Sequence, residues 1–122
     1  MIRLNATTKV LQVVLGGAVS ANQPQLVASW VDQNQQNDLT QGWQTETVAN
    51  STTDVTLVAA PPQNFVRNID SVFIYNADTA SATAIVKIDD GGTERILVRR
   101  TLLTLQTLAY EHGVGWYYMS VT

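Results

Sequence analysis

What most narrows the folds open to this chain is its punctuation. β-Branched and apolar segments of strand length recur along it, each stopped by Gly, Pro or an Asn/Asp cluster. Residues 8–15 (TKVLQVVL) end at Gly16-Gly17, residues 25–32 (QLVASWVD) follow Pro24, and residues 54–59 (DVTLVA) halt before Pro61-Pro62. Branched side chains suit a pleated surface and lose rotamer freedom in a helix, so these runs read as strands. Within 25–32 the alternation is explicit: Leu26, Ala28 and Trp30 share one face, and Val27, Ser29 and Val31 the other.

The remaining segments follow the same logic. Residues 33–44 (QNQQNDLTQGWQ) are polar except for Leu39 and Trp43 and read as a long exposed loop, with a short strand at 45–48. Residues 65–75 (FVRNIDSVFIY) form a long strand whose alternation changes phase between Ile69 and Val72, which signals a bulge or a bend. A turn at 76–80 leads to the clearest hairpin, 82–88 with 93–99 around Asp89-Asp90-Gly91-Gly92. A turn on Asp90-Gly91 would pair Lys87 with Glu94 and Ile85 with Ile96, each pair worth up to about 1 kcal/mol. A turn on Gly91-Gly92 would set Asp89 against Glu94, so the first register is expected. A last hairpin, 102–110 with 115–121, turns at His112-Gly113. Thr101, Thr104 and Thr107 argue for strand over helix in its first arm.

With about eight strands and no useful helix, the expected fold is all-β: an antiparallel two-layer β-sandwich, jelly-roll-like, in a single domain spanning 1–122. Its 122 residues suffice to bury a core without metal or disulfide, and there is no Cys to provide either thiolate or cross-link. Residues 1–17 are too interrupted by Asn5, Thr7, Thr8, Lys9 and Gln12 for a signal peptide, so synthesis in the cytoplasm and an ordered first strand are expected. Residues 1–8, with Arg3, have two readings: an extended arm that adds a strand to a neighbour, or an intramolecular strand with a frayed end.

Composition bears on partners. Hydrophobic residues make up 45% and charged residues 14%, against the usual charged share of roughly 25%. The net charge of −3, with Arg99-Arg100 the one adjacent basic pair, offers no footprint for nucleic acid. No apolar run approaches the roughly 20 residues of a membrane span.

Reactive groups are sparse. The single His112 sits in a turn, and no Ser stands in a nucleophile elbow. Asp89, Asp90 and Glu94, and Asp32, Asp38 and Glu46, fall at turn and loop positions, where carboxylates stay solvated instead of acquiring the opposed pKa values that acid–base pairs need. Asp89-Asp90-Gly91-Gly92 lacks the further oxygen ligands of a calcium loop and the Lys of a phosphate loop. No enzyme activity, cofactor or metal is expected.

Aromatic residues are more informative. Trp30 and Trp116 lie within strands and default to core. Trp43, set in a polar stretch, either plugs the core or anchors a partner chain. Trp116, Tyr117 and Tyr118 place aromatics on both faces of one strand, one of which a monomer would leave exposed. The candidate interface residues are therefore Trp43, Trp116, Tyr117, Tyr118 and Arg3.

Three stretches, RNIDSVFIYNAD (67–78), KIDDGGTERILVRRTLLTLQTLAYEHGVGWYYM (87–119) and LVASWVDQN (26–34), are similar to small virion proteins of tailed bacteriophages. The resemblance rests on a strand leading into an Asp-Gly hairpin, a Leu/Thr strand, a Tyr-Glu-x-Gly-x-Gly-like corner and an aromatic final strand, over roughly half the chain. It implies a non-enzymatic particle component: a head decoration or cement protein bound to the major capsid protein or other virion proteins, as a homo-oligomer with a trimer favoured. The alternative it leaves open is a neck, tail or fibre module that binds a carbohydrate or host receptor through exposed aromatics.

Overall fold

The structure, a computed structural model, describes residues 1–119. Ten strands run in chain order: β1 (Ile2–Leu4), β2 (Lys9–Leu15), β3 (Gln25–Gln33), β4 (Leu39–Val48), β5 (Val55–Val58), β6 (Val66–Tyr75), β7 (Ala82–Asp90), β8 (Thr93–Leu102), β9 (Thr107–Glu111) and β10 (Gly115–Met119). They form two antiparallel sheets, one ordered β10-β9-β6-β3-β4 with β1 also on β6, the other β5-β2-β7-β8. The chain passes between the sheets from β1 to β2, β2 to β3, β4 to β5, β5 to β6, β6 to β7 and β8 to β9. This is the all-β, two-layer antiparallel sandwich that the alternating pattern requires.

The core lies between the sheets and is filled by the inward set of each strand. Leu11 and Val13 of β2, Leu26 and Ala28 of β3, Val72 and Ile74 of β6, Val86 of β7 and Leu108 of β9 are all fully buried. Each buried Leu, Ile or Val contributes about 1.5–3 kcal/mol over an exposed position. The phase change in β6 is a bulge: Ser71 pairs with Ser29 and Ile69 with Trp30, leaving Asp70 unpaired. That extra residue lets Ile69 and Val72, three apart, both face the core.

Two buried polar groups fasten the loops at one end. The Asp78 carboxylate accepts N–H donors from Ser20, Ala21, Asn22 and Thr79 at 2.8–3.1 Å. The Asn76 amide donates to the carbonyls of Ala80, Leu102 and Leu103. Elsewhere Arg67 grips Asp32 with two N–H donors, at 2.8 and 3.1 Å, donates to the Ala59 carbonyl and covers the Trp30 ring at 5.1 Å.

Three expectations need correction, and one open alternative is decided. The segment 33–44 is not a long loop: only a short turn precedes β4, which begins at Leu39. Its polarity has a different cause, because an edge strand exposed along one side buries little and needs no apolar alternation. The hairpin turns on Gly91-Gly92, with Asp90 opposite Thr93 and Asp89 opposite Glu94. Both glycines take positive φ, 61° and 102°, and Asp89 Oδ1 accepts the Gly92 N–H at 2.7 Å, so the carboxylate is engaged in the turn. A bulge after Val86 then lets Lys87 reach Glu94 diagonally at 2.8 Å, so the ion pair forms without the register it was used to predict. The stretch 102–110 is split: β8 ends at Leu102, β9 starts at Thr107, and residues 103–106 turn between them, with Leu105 at φ 64°. At the N-terminus, Ile2, Arg3 and Leu4 pair with Ile69, Asn68 and Arg67 of the same chain, and Leu4 is fully buried. The intramolecular reading of that segment is therefore the one this structure adopts. The predicted extension of the last strand to residue 121 lies outside the described residues.

Candidate interaction surface

A sandwich offers partners its sheet faces and its edges, and the edges differ here. β8, one edge of the smaller sheet, carries Glu94, Arg95, Arg99 and Arg100, the charged dressing that discourages strand addition. Its opposite edge, β5, is 4 residues long. β4, an edge of the larger sheet, is 10 residues long and holds a single charge, Glu46, with no Pro and no Lys. Along it Leu39, Trp43 and Val48 are 66%, 53% and 49% exposed. Gly42 adds a stretch of bare backbone, where a Cβ would meet only the Trp30 carbonyl oxygen at 3.5 Å.

Trp43 pairs directly with Trp30, whose ring packs against the core, so the two indoles share the inward face. Trp30 is roofed by the core and Arg67, whereas Trp43 reaches past the end of the buried layer. It neither plugs the core nor lies free of it. A shallow depression of about 580 Å³ adjoins the pair, lined by Ser29, Trp30, Val31, Gly42, Trp43, Gln44 and Asp70. The Trp30 Nε1 is buried without a protein acceptor.

The other candidate residues do not converge on this place. Strands β10 and β4 are opposite edges of the larger sheet. Trp116 turns inward and packs on Tyr110, ring centroids 5.1 Å apart. Tyr118 is 40% exposed on the same side, donates to the Thr101 carbonyl at 3.0 Å and lies under the Arg100 guanidinium, so it ties β10 to β8. Tyr117 points to the outer face and donates to Glu111 Oε1 at 2.8 Å; that carboxylate, with burial adding to it, raises the phenol above its usual pKa. Arg3 lies on β1 with its Nε donating to Asn68 Oδ1 at 3.1 Å, beside a second depression that it shares with Met1, Val31, Gln33, Asn37, Leu39 and Asn68. Four aromatics on one platform is therefore not what the fold builds.

His112 stands exposed in the β9–β10 turn, its backbone N–H donating to the Asp70 carbonyl. Among the described residues, no three His, Cys, Asp or Glu side chains gather where a metal ion would fit. Sequence reasoning did not single out Leu39 or Val48, which it placed in an exposed loop and at the end of a short strand. The signal was the isolation of Leu39 and Trp43 within a polar run. Leu103 and Leu105, 60% and 55% exposed in the turn after β8, were likewise hidden in an assumed strand. Comparison with protein-family models, curated proteins and solved structures gives no match to this chain.

Proposed function

We propose that this chain is a non-enzymatic assembly protein that works by offering sheet edges and exposed apolar groups to other protein subunits. The observation that carries the reading is β4: a long, nearly uncharged, open edge with Leu39, Trp43 and Val48 left to solvent. Natural sandwiches normally blunt such edges with charge, Pro or brevity, as β8 and β5 are blunted here. An edge kept bare has a use as a template for another chain, and exposed Trp is the side chain most enriched at binding hot spots. The resemblance of 26–34, 67–78 and 87–119 to small virion proteins of tailed phages supports a particular setting: a decoration protein on the capsid lattice, made in the host cytoplasm and incorporated into the virion.

The direct test is cosedimentation of the purified chain with particles of the source phage that lack it. Saturable binding, weakened by Trp43→Ala, is expected. Absence of binding to the particle would overturn the capsid reading.

A second reading, a tail, neck or fibre module that binds a carbohydrate, is favoured by one observation. The depression beside Trp30 and Trp43 combines indole with the polar groups of Ser29, Gln44 and Asp70. Quenching of tryptophan fluorescence by a soluble glycan, lost in Asp70→Ala, would select it.

A further inference from the structure

We infer that two copies of this chain join through their β4 edges, across a twofold axis at Trp43, into one continuous sheet. The outer edge of β4 carries backbone N–H and C=O groups turned away from β3, and among protein partners an extended strand is what matches such a row along its length. The occupant is therefore a strand. Several features on β4 itself point to a second β4 as that strand.

The edge is free of the one feature that most strongly forbids self-pairing. Its single charge, Glu46, lies three residues beyond Trp43, so an antiparallel pair centred on Trp43 sends the two Glu46 side chains to opposite ends. Geometry then restricts the register. Strands related by a twofold axis perpendicular to their sheet keep the same faces up, and side chains directly opposite each other must share a face. The axis must therefore pass at a residue and cannot fall between two. Centred on Gly42, the pair would oppose two residues without side chains. Centred on Gln44, it would set Trp43 against Thr45. Centred on Trp43, it joins the largest exposed apolar group to its own copy and lays Gln44 over the partner's Gly42, where there is room for it.

The assembled form follows from the layers. Both four-stranded sheets lie on the same side of the joined sheet, and the two Trp43 rings meet in the cleft between them, each backed by Trp30. A closed pair uses up both β4 edges, so growth through β4 stops at two, where the resemblance to virion proteins implied three. The inference rests on the same open β4 edge as the proposed function and names a second copy as the subunit that edge takes.

Sedimentation equilibrium of the full chain over a range of concentrations tests it, with a dimer mass as the expected result. Trp43→Ala should raise the dissociation constant about thirty-fold or more, with far-UV circular dichroism unchanged. The register has its own readout, because the chain has no cysteine. Gly42→Cys/Gln44→Cys should give a covalent dimer on mild oxidation, whereas Gly17→Cys, in a distant turn, should not. A monomer at every concentration, a trimer, open-ended growth, or a Trp43→Ala variant that dimerises as before would overturn the inference. Failure of the Gly42→Cys/Gln44→Cys cross-link would overturn the register.

Discussion

Asp78 shows how much of this fold hangs on single polar side chains. It is 2% exposed, and its carboxylate gathers the loop at 20–22 and its own turn through backbone N–H donors. The Ser20 N–H, opposed by burial and joined by those of Asn22, Ala21 and Thr79, lowers its pKa from 3.8 to about 2. A depressed pKa in the folded state stabilises above the unfolded value and loses that contribution as pH falls through the folded one. The urea midpoint of the wild type should therefore drop between pH 5 and pH 2, and Asp78→Asn should lower stability at pH 7 while flattening that dependence. Lys87 is another buried charge. Burial pulls its pKa down, but hydrogen bonds to Asp54 and Glu94, both at 2.8 Å, outweigh this and raise it overall. Lys87→Met should cost under about 1 kcal/mol, since both carboxylates still reach water, whereas Asp54→Ala/Glu94→Ala, which strands the ammonium, should cost about 2 kcal/mol in denaturant unfolding. Neither residue was legible as buried from sequence. Asp and Lys read as surface, and only the fold shows which loops close over them.

At the level of elements, legibility tracked burial on one face. β2, β3, β6 and β7 alternate or run apolar because one side meets the core, and the bulge at Asp70 was readable from the broken phase between Ile69 and Val72. Of β4 only 45–48 was readable as strand, because an edge strand with three exposed apolar residues in ten carries little alternation to detect. The β7–β8 register was misjudged because pair energies of about 1 kcal/mol were weighed while the turn's backbone requirement was not. Two successive residues with positive φ confine the turn to Gly91-Gly92. Gly92→Val should destabilise by about 1–2 kcal/mol, read from thermal unfolding, through strain at φ 102°. The turn after β8 offers the converse. Leu105 holds φ 64° while 55% exposed, so Leu105→Gly should raise stability by up to about 1 kcal/mol in the same assay. A smaller gain would mean that Leu105 packs on its own turn. The candidate site was legible in part: of the candidate interface residues Trp43 and Arg3 lie exposed, while Trp116 takes the core role that a residue within a strand has by default, beside Tyr110.

For the whole molecule, the two layers set which strand edges are open. The smaller sheet ends in a charged strand on one side and a short one on the other, while the larger sheet ends in β4, long and bare. Among the described residues β4 is thus the long, nearly uncharged edge, set against the shorter β10 at the other end of its sheet, and both the proposed function and the twofold pairing rest on it. The central claim is that the chain is a structural subunit of a particle, and counting it there is the most direct test. Mass spectrometry of purified virions of the source phage, with this chain quantified against the major capsid protein, should find it at a copy number comparable to that protein. A few copies per particle would move it to the neck, tail or fibre, and its absence from the particle would contradict the account.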